Sequence, residues 1–68
     1  MKYSVDSEKL KSIMLNQGLS INNLAINSGI GVATISRALK KGNTVSAQTI
    51  KKIADALSIL PEDLIIKK

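Results

Sequence analysis

Ala33, Ser36, Arg37 and Lys40 recur at i, i+3, i+4 and i+7, so on a helix they would share one face. A methyl group, a hydroxyl, a planar guanidinium fork and an ammonium suit recognition of an anionic, hydrogen-bonding surface better than they suit bond breaking. The charge around them is one-sided. Acids stop at Glu8 and return at Asp55, while Lys9, Lys11, Arg37, Lys40, Lys41, Lys51 and Lys52 fall between. Across all 68 residues, ten basic and five acidic side chains give a net charge of +5, with a pI near 9.8. Such a surface attracts phosphate polyanions or an anionic membrane, although charge alone does not settle it against a solvated face that aids solubility.

Other chemistry is poorly served. The sequence has no histidine and no cysteine, which removes the usual general base, the usual metal ligands and any disulfide. Its Ser, Lys and carboxylate residues form no cluster, and Asp55, Glu62 and Asp63 suit solvent-facing or capping positions. The expectation is a non-enzyme without metal, cofactor or small-molecule ligand. No apolar run approaches the ~18 residues of a membrane span. Lys2, Asp6 and Glu8 break up the start, unlike a signal peptide. Gly, Asn and Ser interrupt any long amphipathic face that could lie on a membrane. A cytoplasmic protein without a membrane partner is expected.

The elements that must hold the basic face are helices. Eight Leu, ten Ile, three Val and six Ala supply the core, with Tyr3 as the single aromatic. A chain this short buries only about 60% of its unfolded surface, so nearly every apolar residue is needed. Asp6 or Ser7 can cap a first helix in which Leu10, Ile13 and Met14 face inward, and Gly18 ends it. Ser20 caps a second helix, Ile21 to about Ser28, and Gly29 breaks it. A third runs over about 32–40 behind a weak cap, Gly31. Residues 42–44 form the one real loop, Ser46 caps a fourth helix carrying Ile50, Ile53, Ala54 and Leu57, and Pro61 opens a short fifth over about 61–66. No stretch alternates with period two long enough to predict a strand. The expected fold class is all-α, five short helices in one domain spanning residues 1–68.

Residues 21–40 have the pattern of a helix-turn-helix. Ala25 allows two helices to cross closely, Gly29 supplies a turn residue of positive φ, and Leu24, Ile30 and Ile35 fill the wedge between the helices. The run G-L-S-I-N-N-L-A-I-N-S-G-I-G-V-A-T-I-S-R-A-L resembles the Cro/phage-repressor (XRE-like) type of helix-turn-helix domain. The tail I-A-D-A-L-S-I-L-P-E-D-L is similar to that family's closing pattern. The inner segment G-V-A-T-I-S-R-A-L also resembles the recognition helix of the lac-repressor family. Both families share the lambda-repressor-like fold.

The resemblance implies a sequence-specific regulator of transcription, a repressor from a bacterium or phage, bound as a homodimer to a double-stranded DNA operator. Its third helix would lie in the major groove. Carried over residue by residue, the base-reading positions are Val32, Ala33, Ser36 and Arg37. Val32 and Ala33 offer apolar contact to thymine methyls, and Arg37 a bidentate pair with guanine. The phosphate-contacting positions are Ser20, Asn22, Thr34, Lys40, Lys41 and Asn43. For Thr34 and Ser36, a bond to their own helix backbone is an equally good reading. An alternative function is a protein-interaction module, antitoxin-like, that uses the same scaffold without DNA.

The chain departs from the family pattern in three places. Gly31 stands where a capping Ser or Thr is usual, and Ser58 where helix four usually ends in Gly. Met14 and Leu39 occupy positions at which relatives often carry an Arg–Glu ion pair, so an apolar contact is expected there. Leu60, Leu64, Ile65 and Ile66 are expected either to close the monomer core or to form a dimer surface.

Overall fold

Three oxygen-bearing side chains set the helix starts. In the computed structural model, which describes residues 2–40 and 42–66, Asp6 Oδ1 accepts the Lys9 amide at 3.1 Å. Ser20 Oγ accepts that of Asn23 at 3.1 Å and Ser46 Oγ that of Thr49 at 3.2 Å. Each satisfies one of the donors that a helix leaves bare in its first turn. They open α1 (Ser7–Gln17), α2 (Ile21–Ser28) and α4 (Ala47–Leu57). The second helix of the motif, α3 (Val32–Ala38), starts at Gly31 with no side-chain cap. Gly18 and Gly29 end α1 and α2 at φ 67° and 71°, the left-handed conformation that glycine takes without strain.

Two sequence expectations about the elements fail. Four α-helices form, not five, and a two-stranded antiparallel sheet joins them: β1 (Lys2–Ser4) with β2 (Thr44–Ser46), in the register Tyr3↔Val45. Three-residue strands are too short for alternation to register in a sequence, and Thr44, expected in a loop, is the first residue of β2. In place of the fifth helix stands a single 3-10 turn, Pro61–Asp63. The chain then straightens, and Ile65 bridges antiparallel to Val5. The amide of Asp6 donates to the carbonyl of Leu64 at 2.7 Å, and that of Ile66 to Ser4 at 2.9 Å. β-Branched Ile65 and Ile66 favour this extended path over another helical turn. β1 therefore has a neighbour on each side.

Around this sheet the helices close one core: Leu10, Leu24, Ile35, Ile53, Leu57 and Leu64 are at most 1% exposed. The inward stripe of α4 contributes Ile50, Ile53, Ala54 and Leu57, all buried, as its spacing predicts. Ser58 ends α4 at φ 60°, ψ 40°. A Cβ in the left-handed region costs roughly 1–2 kcal/mol, part of which a glycine gives back in unfolded-chain entropy. Ser58→Gly should therefore stabilise the domain by ~0.5–1 kcal/mol in urea unfolding, with the slope unchanged. A loss of stability would mean that the serine side chain holds this turn.

Candidate nucleic-acid interface

α3 is gripped from behind. Ile35 and Ala38 are fully buried, and the turn before them is closed by the Ile30 amide bonding Ala25 carbonyl at 3.1 Å. Ala25 itself is buried, as a close helix crossing requires. With its back fixed, α3 can present only its other side, where Ala33 and Arg37 are exposed and Ser36 is half-buried. Val32, at the first turn, is 46% exposed, unusual for a valine in a domain short of core.

The polar groups on that side are uncommitted. The two ion pairs among the described residues are Lys9 with Asp63 at 3.8 Å and Lys51 with Asp55 at 3.3 Å. Neither involves Arg37 or Lys40, whose side chains have no hydrogen-bonded partner among the described residues. Thr34 and Ser36 are half-buried, yet neither hydroxyl bonds back to its helix. Of the two readings the sequence leaves open for them, the local backbone bond is not made. By contrast Ser28 Oγ, on α2, does donate to the Leu24 carbonyl at 2.6 Å.

Helix three ends earlier than its sequence pattern suggests. It stops at Ala38, and the Lys40 amide donates to the Arg37 carbonyl at 3.1 Å. Lys40 thus leaves the helix instead of adding a turn to it, and its side chain remains exposed. Lys41 lies outside the described residues. Asn43 has a task that the sequence does not reveal: its Nδ2 donates to the Arg37 carbonyl at 3.1 Å. That amide holds the exit of α3 by the backbone of its most informative residue. An Asn shortly beyond a helix end is the available signal, since its side chain can serve an orphan carbonyl.

Ser20 and Asn22 are exposed at the N-terminus of α2. The Ser20 oxygen already caps Asn23, while Ile21 and Asn22 carry first-turn amides that an α-helix leaves without an internal partner. An anion at this end is favoured by those donors and by the helix dipole.

Where relatives often carry an ion pair, Met14 and Leu39 line one open groove with Lys11, Leu15, Leu19 and Ile21. No carboxylate faces it, so neither half of the missing pair is stranded. At the C-terminal end, the four apolar residues divide. Leu64 is buried and Ile65 packs against the core, whereas Leu60 and Ile66 are 59% and 51% exposed.

Two helices crossing through Ala25 and a glycine turn, with the second pinned from behind and unpartnered in front among the described residues, define a helix-turn-helix DNA-binding domain. The chain belongs to the Cro/C1-type HTH DNA-binding domain family, whose model matches residues 9–67. No curated protein and no solved structure matches the chain. Among the described residues no helix is long and apolar enough to cross a membrane.

Proposed function

We propose that this domain is a sequence-specific regulator of transcription, a repressor, that places α3 in the major groove of a double-stranded operator as a cytoplasmic homodimer. One observation carries the reading. The front of α3 holds a guanidinium and two hydroxyls without partners among the described residues, in a stretch from Lys9 to Ala54 that contains no acid. Val32, Ala33, Ser36 and Arg37 are the base-reading set. Ser20, Asn22, Thr34, Lys40, Lys41 and Asn43 flank it for phosphate contact. One such helix reads too few base pairs for the ~10⁻⁸ M affinity of specific sites, so two half-sites about 34 Å apart are required. The longest dimension of the domain, 29 Å, lets two copies side by side reach both. Occupying the operator excludes other proteins from it, which is repression without further machinery.

The test is selection of bound duplexes from random DNA, followed by gel shifts of the recovered sequence at two salt concentrations. A recovered motif with two-fold symmetry and a steep salt dependence supports the reading. Failure to retain any duplex at low salt would favour the protein-interaction module instead. Leu15 and Ile26, 81% and 78% exposed on α1 and α2, are the observation on that side.

Asn43 offers a finer check. If its side chain touches phosphate, Asn43→Ala should weaken binding and alter the salt dependence. If holding the Arg37 carbonyl is its whole role, the salt slope stays put while discrimination between operator and random DNA falls. The bond in place favours the second result, with a stability loss of ~0.5–1.5 kcal/mol.

A further inference from the structure

We propose that the outer face of the β1–β2 sheet, carrying Lys2, Ser4 and Thr44, is a second phosphate-binding surface that holds the DNA backbone flanking the bases under α3. The inference rests on the DNA-binding reading above and extends the contact beyond the helix-turn-helix.

Strand pairing sorts the side chains. Successive residues of a strand point to opposite faces, and directly opposed residues share a face. Val5 and Val45 are 2% and 5% exposed, and Ile65 packs against the core, so these mark the inner face. The register Lys2↔Ser46 and Ser4↔Thr44 puts those four residues on the other. Ser46 Oγ is engaged at the start of α4. Lys2, Ser4 and Thr44 are exposed, and the ammonium and both hydroxyls have no partner among the described residues.

Asn43 joins this face to the exit of α3. Its Nδ2 donates to the Arg37 carbonyl at 3.1 Å, and its own carbonyl accepts the Val5 amide at 3.5 Å. Ser4 and Thr44, the chain neighbours of Val5 and Asn43, therefore stand one residue from that joint. Lys2 lies two residues beyond Ser4, about 7 Å along the strand. A sugar-phosphate backbone that passes Lys40 and Asn43 meets the hydroxyl pair next and then the ammonium. Each DNA strand offers it a negative charge every ~3.4 Å of helix axis.

Charge favours that occupant over a second copy. Lys2 belongs to neither ion pair. Asp6 lies beyond the opposite end of β1, with its Oδ1 bound to the Lys9 amide. Ile66, whose amide bonds the Ser4 carbonyl, is 51% exposed and adds apolar surface at the margin. One such side chain is a small part of the about 800 Å² that each partner gives to a stable dimer.

Salt and phosphate chemistry test the contact. Affinity for the selected duplex and for random DNA is measured at about 50 and about 200 mM salt, with folding checked by melting. Lys2→Ala should weaken both DNAs alike, and its deficit should shrink about threefold between the two salts, the mark of one lost phosphate contact. Lys2→Arg should keep the parent's salt slope. Ser4→Ala with Thr44→Val should weaken binding roughly threefold at an unchanged slope, since neutral hydrogen bonds are lost. Replacing one phosphate at a time by uncharged methylphosphonate locates the contact. The Lys2→Ala loss should vanish at one position per half-site, next to those at which the Lys40→Ala loss vanishes. A slope equal to the parent's for Lys2→Ala, or a loss of the same size at every methylphosphonate position, overturns the proposal and leaves DNA binding by α3 standing. Altered self-association in sedimentation, with that slope unchanged, overturns it in favour of a second copy. A parent that retains no duplex at low salt removes both readings.

Discussion

Arg37→Ala should lower affinity for the operator by roughly 1–3 kcal/mol per half-site and affinity for random DNA by much less. The expectation follows from where the side chain stands. Arg37 lies on the open side of α3, its guanidinium unpaired among the described residues, and its backbone carbonyl is held by both Lys40 and Asn43. A fork on so fixed a base can meet O6 and N7 of guanine together. Lys40 sits where the chain has already left the helix, and an ammonium there acts on phosphate as a point charge. Lys40→Ala should therefore weaken both DNAs alike and flatten the salt dependence by about one released ion for each phosphate it no longer neutralises. Measuring both variants on operator and random duplexes at two salt concentrations separates the roles. Equal losses on both DNAs for Arg37→Ala would assign that residue to phosphate and leave specificity to Val32, Ala33 and DNA shape.

The largest effect on folding is expected at Ile35, the fully buried side chain directly behind the reading face. Ile35→Ala removes three methyl or methylene groups from a site packed on all sides, at a cost of ~2–5 kcal/mol. By the usual ~0.05–0.15 kcal/mol per residue, a domain of this length has only about 3–10 kcal/mol in total. Thermal melting should therefore shift by many degrees or lose cooperativity altogether. Ile35→Val, losing one methylene, should cost ~0.5–1.5 kcal/mol and keep the fold. A near-native melt for Ile35→Ala would mean that α3 is held by its ends and not by this contact.

What is legible in the sequence, and what is not, follows from the range of each interaction. Asp6, Ser20 and Ser46 announce their helices because a cap bonds an amide three residues away. Gly18 and Gly29 announce the ends because the strain they relieve is their own. The stripe Ile50, Ile53, Ala54, Leu57 on α4 and the front of α3 are legible for the same reason, being patterns within one helix. The sheet is not, because Tyr3 and Val45 become partners only when the folded chain brings them together, and three residues leave no periodic trace. The final segment misleads for a related reason. Pro61, Glu62 and Asp63 do start a helical turn, but the contest between continuing it and pairing with Val5 is decided by residues at the other end of the chain. At the site, the front of α3 can be read from spacing, while the Asn43 bond to Arg37 cannot, because it depends on how the chain leaves the helix. Ser58 is intermediate: the departure from glycine is visible, and the structure adds that the left-handed turn is made regardless.

The position of β1, enclosed by β2 and the C-terminal segment, also orders events in time. Val5 is 2% exposed, and its neighbours on either side are Asn43 and Ile65, the second of them made sixty positions later by the ribosome. Chains grow at about 5–20 residues per second and fold as they emerge. The helices of the DNA-binding motif are therefore complete in sequence seconds before the strand beneath them can be covered. Until Leu64 and Ile65 arrive, Val5 has water on one side and the core lacks one of its fully buried members. A chain cut short between Thr44 and Leu64 carries every group proposed to touch DNA and still lacks the contacts that Leu64 and Ile65 make. Such fragments should be drawn off by proteases before they can occupy DNA.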